Sequence, residues 1–398
     1  MEIYHQMLPG STDLSSYNKG PSGPLTPLSL PLERPAIILA TNDVNDETLF
    51  RNGLTQNIVV LYDLFESMGY KAYLFQHGGG GDAPKKEFIL GYRTTNPQEL
   101  LRNPIPIRAF IEIGMSVDST TRSYLRSIGA KIIKLYLGNI LNIDIETIQN
   151  FRSMFFNHHV VGELDEIWTS PHYKQHLDYA ALLNRTAISK ARVVPYVWDP
   201  CFISQYGERG AIEWIAPDSW LTQDVVIMDP NISFQKCSFY SLLLVEAFSR
   251  KYPEWRGKVQ VINGDRLQLE MNSFNFVLPS LSLWRGGRIV LQGRKNIHTI
   301  LKENRSACFM THQWNNDFNY MTLELLYCNY PILHNSEGWD QFGYHYSIDK
   351  WGAAIETLRL ALQSHRDNMN IYKTHAANLI WKHSVHNPDI QAEWRTIL

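Results

Sequence analysis

The side chains of this 398-residue chain best placed for chemistry are a carboxylate on an apolar helix and a few titratable groups at strand ends. Glu324 lies in NDFNYMTLELLYCNYPILHN, residues 316–335. Apolar residues at helical spacing there run to a turn at Asn329, then to Pro331 and a short apolar strand. A carboxylate in that helix offers two acceptor oxygens, enough to take hydrogen bonds from a pair of neighbouring hydroxyls. In the first half of the chain, Glu112 lies near the end of the strand-like AFIEIG, Asp43 follows the first strand, and His77 precedes four glycines. Each stands where a base can take the proton of an attacking hydroxyl. Each also has a plainer reading: Glu112 and Asp43 suit helix caps, and His77 a glycine loop.

Other chemistries fit less well. The glycine run at residues 78–81 lacks the Lys-Ser/Thr of a phosphate-binding P-loop. His158 and His159 are adjacent, so their side chains point apart and rarely share one ion. Asp144-Ile145-Glu146 falls in an expected helix and not at a strand end, so no metal is expected. Cys201, Cys237, Cys308 and Cys328 form neither a CxxC pair nor a Cys/His cluster, which points to a reducing, cytoplasmic setting. No secretory leader and no apolar run of about 20 residues is visible. A net charge of −2 disfavours nucleic acid as a partner, without excluding a local basic patch. Trp314 and Trp339 suit sugar platforms and core packing equally.

The elements that would position these groups alternate in type. Residues 1–34, rich in Pro, Ser and Gly, read as an irregular arm. Strands are expected at Ala36–Ala40, Lys71–Phe75, Ile107–Ile113, 131–137, Glu166–Thr169 and 192–197, with helices at 54–68, 120–127, 143–154 and 171–183 between them. Residues 201–221 lose periodicity and read as a linker. A second series follows, with strands at 224–228, 259–263, 289–292, 307–311 and 331–334 and helices at 237–251, 296–303 and 320–328. The tail from about residue 350 reads as helical. Strands alternating with helices give parallel sheets. The expected fold is therefore α/β, two Rossmann-like doubly wound domains facing a cleft. The expected divisions are an arm at 1–34, a first domain at 35–205, a second at 222–375, and a C-terminal helix at 376–398 packing back toward the first domain.

Residues 316–335 resemble the donor-site helix of GT-B glycosyltransferases. In that family an acidic residue is followed, after seven residues, by a Glu, a helix end, a tight turn, Pro and a buried strand. Glu324 takes the place of the second acid, and the resemblance implies that it binds the ribose of a nucleotide-sugar. Asn316 takes the place of the first acid, which departs from the family pattern. VVIMDPNISFQKCS, residues 225–238, resembles the family's first strand and phosphate loop. Lys236 fits the Lys of the usual basic pair, and Asp229-Pro230-Asn231 stands where its Arg is missing. KVQVING resembles the second strand and its glycine turn. Residues 288–313 resemble the part that clasps the base near Gly293 and Arg294. Asn231, His312, Trp314, Asn316 and Thr322 complete the implied donor-binding set, with backbone amides entering the Glu324 helix meeting the phosphates. A looser likeness to an uncharacterised family of bacterial and viral glycosyltransferase-like proteins rests on DEIWTSPHY, VVPYVWDP, DPNIS and THQWNNDFNYMTLELLY.

The resemblance implies a glycosyltransferase moving a sugar from a UDP- or GDP-sugar to a glycan or other hydroxyl acceptor, with no cofactor. A sugar-nucleotide epimerase or hydrolase on the same fold, and a carbohydrate- or nucleotide-binding protein without turnover, are the alternatives.

Overall fold

Five apolar residues in a row leave a strand no face for water, so Ala36–Ala40 must lie between two covering layers. In the computed structural model, which describes residues 35–41, 44, 53–75, 91–151, 162–204, 212–269 and 274–398, that segment is an inner strand, β1. Its sheet also holds β2 (Lys71–Phe75), β3 (Thr94–Thr95), β4 (Ile107–Ile113), β5 (Lys131–Tyr136), β6 (Glu166–Thr169) and β7 (Ala191–Val193). The order is β3-β2-β1-β4-β5-β6-β7, and every pairing is parallel. A second sheet holds β8 (Val225–Ile227), β9 (Val259–Val261), β10 (Ile289–Leu291), β11 (Cys308–Met310), β12 (Ile332–His334) and β13 (Tyr344–His345). Its order is β10-β9-β8-β11-β12-β13, again all parallel. Strand order reverses between β1 and β4 and between β8 and β11. In doubly wound sheets the carboxyl ends at such a reversal form the ligand crevice.

Seven helices matter below: α1 (Gly53–Ser67), α2 (Ser119–Ser127), α3 (Phe239–Lys251), α4 (Tyr320–Tyr327), α5 (Trp351–Ser364), α6 (Met369–His383) and α7 (Pro388–Ile397). Helix α1 buries every residue from Thr55 to Tyr62, because the sheet covers one side and the second domain covers another. The crossing segment splits its side chains between cores. Val194, Val197 and Phe202 enter the first, and Tyr196, Trp198 and Ile203 enter the second. Beyond it, Ile212 and Trp214 are also in the second core. The chain ends on the first domain. Trp394 of α7 packs edge-on against Phe65 at 5.5 Å and Trp168 at 5.6 Å, and Arg108 Nε donates to the Leu398 carbonyl at 3.1 Å.

Two expected elements differ in form. The helix expected at 171–183 is a 3-10 turn, Pro171–His176, followed by an α-helix, Leu177–Leu183, with a kink at Tyr173 (φ −115°, ψ 17°). The kink releases Tyr173 toward the second domain, as described below. The helix expected at 143–154 starts earlier, as Ile140–Glu146 capped by Asn139, and widens into a π turn, Thr147–Phe151. The arm at 1–34, Asp43 and His77 lie outside the described residues. Among those described, no helix is long and apolar enough to cross a membrane.

Candidate active site

The reversal point of the second sheet is organised by one buried carboxylate. Asp229, just past β8, accepts from Thr311 Oγ1 at 2.7 Å, Gln313 Nε2 at 3.0 Å, Ser241 Oγ at 3.3 Å and the His312 amide at 3.3 Å. Full burial pushes its pKa up to about 6 even against those hydrogen bonds. Gln313 Nε2 also donates to Thr311 Oγ1 at 2.9 Å, so the Gln313 amide nitrogen is committed and its oxygen must accept. Asn316 Nδ2 fills that role at 2.8 Å, and Asn316 Oδ1 accepts from the Tyr173 hydroxyl of the first domain. A chain of polar contacts thus runs from Asp229 across the cleft to Tyr173. Asn139 Nδ2 adds a second tie, donating to the Asn315 carbonyl at 2.9 Å.

This geometry gives the departure at position 316 a physical meaning. A carboxylate there would set an acceptor against the Gln313 oxygen and leave that buried oxygen without a donor. Asn316→Asp is therefore expected to lower stability by about 1–3 kcal/mol, the cost of an unsatisfied buried polar group. Urea unfolding of the two proteins at pH 7 measures it, and equal midpoints would refute the assignment.

Around this chain lie several residues expected from sequence. Asn231 has a left-handed backbone (φ 55°). Its side chain accepts from the Ser238 amide at 2.8 Å and donates to the Asn263 carbonyl at 3.1 Å, which shapes the loop that presents Lys236. Lys236 makes no ion pair among the described residues, although its surroundings are enclosed enough to lower its pKa, with Asp229 the opposing charge. Its charge is felt across the cleft by His172, whose pKa burial and Lys236 together push down to about 3. His312 stacks on Tyr240, with centroids 4.6 Å apart and planes at 21°, and places Nδ1 2.7 Å from the Tyr346 hydroxyl. Burial lowers its pKa to about 4, and Nε2 has no partner among the described residues. Trp314 meets Tyr240 edge-on at 5.4 Å and His312 at 5.6 Å, and its indole nitrogen also has no partner among the described residues.

Glu324 sits inside α4, whose first turn is capped by the Asn319 side chain and includes the buried Thr322. Its carboxylate is buried against α1, where Gln56 Nε2 donates to Oε1 at 3.4 Å. Burial pushes its pKa up to about 7. Tyr320 of the same helix packs on Gly53, where a Cβ would lie 3.0 Å from the ring, so glycine lets α1 begin this close to α4. Gly293 and Arg294 are exposed beyond β10, at the edge of the sheet and two strands from β8. Trp339 is fully buried and stacked on Phe318 at 4.8 Å, a packing role.

In the first domain, Glu112 is fully enclosed. Its Oε1 accepts from the Val117 amide at 3.0 Å and Arg122 Nε at 3.2 Å, and its Oε2 lies 3.6 Å from Lys134 Nζ. Lys134 in turn donates to Ser116 Oγ at 2.7 Å and to the Met115 carbonyl. These contacts fasten the turn after β4. Residues that sequence reasoning did not single out include Asp229 as an organiser, Tyr173, Gln313, Tyr240, Tyr346 and Gln56. Asp229 and Tyr173 carried a signal, since each lies a few residues beyond a strand and in a quoted motif. Gln56 carried none.

Two parallel doubly wound sheets, with reversal points turned toward a shared cleft, define the GT-B glycosyltransferase fold. The chain belongs to the family described as Protein of unknown function (DUF2827), which matches residues 38–398. No curated protein matches the sequence. Several solved structures share the fold. The trehalose-6-phosphate protein from E. coli bound with UDP-2-fluoro glucose is 12% identical, covering 91% of this chain and 98% of its own, with a TM-score of 0.56. Anabaena HepE in complex with UDP and glucose is 11% identical, covering 91% and 100%, with a TM-score of 0.55. An alpha-glucosyltransferase in complex with UDP and a 13-mer DNA is 11% identical, covering 90% and 99%, with a TM-score of 0.54.

Proposed function

We propose that this chain is a glycosyltransferase that moves a sugar from a UDP- or GDP-sugar to a hydroxyl acceptor, without a metal. The observation that carries the reading is Lys236: a half-buried cation without an ion pair among the described residues, in the loop after β8 and near enough to His172 of the first domain for its charge to act there. A diphosphate supplies the missing negative charge. Developing charge on the leaving diphosphate would be stabilised by Lys236 and by the amides at the start of α4. The three similar structures named above contain UDP or a UDP-sugar analogue, which supports a UDP-type donor.

Glu324 would accept hydrogen bonds from the ribose hydroxyls, displacing Gln56. Asn316, held by Gln313 and Tyr173, would keep the domains in register. We further propose that Glu112 serves the fold and that the proton acceptor lies elsewhere in the first domain, with Asp43 and His77 remaining candidates. A second reading, nucleotide binding without turnover, is favoured by the full commitment of Asn316 to protein partners. Mass spectrometry of UDP- and GDP-sugars incubated with candidate hydroxyl acceptors separates the two. The expected result is nucleoside diphosphate release that falls by about 100-fold or more in Lys236→Ala, as for other single groups that stabilise transition-state charge. Binding of a donor without release of nucleoside diphosphate would favour the second reading.

A further inference from the structure

We propose that the helix Ile140–Glu146 of the first domain, with its cap Asn139, is a clasp that closes over the donor crevice and gates nucleotide entry and exit. The gating role rests on the donor reading, whereas the contacts that make the clasp do not. The helix is carried by the first domain, since Ile140 enters a core of that domain and Asp144 Oδ2 accepts from the Tyr179 hydroxyl at 2.6 Å. Little apolar packing fixes it further. Ile140 and Asp144 are its only buried residues, and Ile143 and Ile145 are exposed.

Polar groups at both ends of the helix reach the second domain. At the start, one side chain has two roles: Asn139 Oδ1 caps the helix by accepting from the Asn142 amide at 3.1 Å, and Nδ2 donates to the Asn315 carbonyl at 2.9 Å. The Asn139 amide also donates to the Tyr173 hydroxyl, which donates in turn to Asn316 Oδ1. At the end, Glu146 Oε1 accepts from the Phe234 amide at 2.9 Å. Neighbouring amides of that loop bond within it, Lys236 to the Ser233 carbonyl at 3.2 Å and Gln235 to Ser233 Oγ at 3.2 Å. The Phe234 amide instead meets the first domain. Seven residues of α-helix span about 10 Å. The two ties therefore hold both the loop that presents Lys236 and the loop that carries Asn316. The two connections between the domains lie side by side, since the Trp198 amide donates to the His383 carbonyl at 2.8 Å. Rotation about that junction would part the helix from both loops, and such closures set how fast a ligand enters and leaves.

Stopped-flow binding of UDP and GDP to the full chain tests the clasp. Asn139→Asp keeps the cap and removes the donor, and Glu146→Ala removes the acceptor while favouring helix. The expected result is association and dissociation at least threefold faster in each variant for whichever nucleotide binds. Glu146→Gln, which keeps an acceptor oxygen, should lie closer to the unaltered protein. Small-angle X-ray scattering without nucleotide should show a larger radius of gyration when Asn139→Asp and Glu146→Ala are combined. Unchanged rates in both single variants would overturn the proposal. If neither nucleotide binds any of the proteins, the donor reading falls and scattering alone decides: a larger radius supports the clasp and an unchanged one overturns it.

Discussion

Replacing Glu112 with Gln is expected to destabilise the protein by about 3–5 kcal/mol, the usual cost of breaking a buried ion pair from one side. The substitution leaves Lys134 and Arg122, both nearly inaccessible, without their shared counter-charge. Lys134 makes the effect depend on pH. Burial already holds its pKa down to about 8, with the Glu112 carboxylate opposing the fall. Without that carboxylate the folded-state value drops further below the unfolded value of about 10.5. The unfolded chain then binds more protons over a wider range, so stability rises with pH through that range. The loss should accordingly be larger at pH 6 than at pH 9. Urea unfolding at the two pH values measures it. A variant of ordinary stability that has lost turnover would instead return Glu112 to the role of base.

Glu324→Gln should act in the opposite direction. The Glu324 carboxyl titrates near 7 in the folded protein and near 4.5 when its surroundings are lost. Between those values the unfolded chain is ionised while the folded one keeps its proton, so stability falls as pH rises. The penalty is absent below about pH 4.5 and complete above about pH 7, where it amounts to about 3 kcal/mol. Gln keeps the shape and can still accept from Gln56, but it has no proton to lose. The variant is expected to match the unaltered protein at pH 4.5 and to exceed it by up to about 3 kcal/mol at pH 8. Equal differences at both pH values would show that the carboxyl is not held neutral by burial. A group kept at such a cost, on the helix that faces the other domain, fits a role in binding.

The fold was legible because its signals are local. The strand Ala36–Ala40 is a run of buried residues, and α1 and α4 show helical spacing ended by Gly69 and Asn329, both of which have positive φ. The two-residue strands β3 and β13 carry no periodicity at all. The site was legible only in part. Lys236, Asn231, His312, Trp314 and Asn316 converge near the ends of β8 and β11, and the family pattern pointed to that region. The contacts that join the domains were not visible, because Gln56 and Glu324 are separated by 268 positions and a single cross-domain pair leaves no pattern. Glu112 shows a different limit. Position at a strand end suggests access to the crevice, but the last five residues of β4 are all buried, and the carboxylate lies in a covered layer among Arg122, Lys134 and the Val117 amide.

The central claim is that Glu324 on α4 holds the ribose of a nucleotide. Calorimetric titration of UDP and GDP into the unaltered protein and into Glu324→Ala tests it most directly. Removing the acceptor of the ribose hydrogen bonds should weaken whichever nucleotide binds by about 10- to 100-fold. Unchanged affinity in Glu324→Ala would contradict the account.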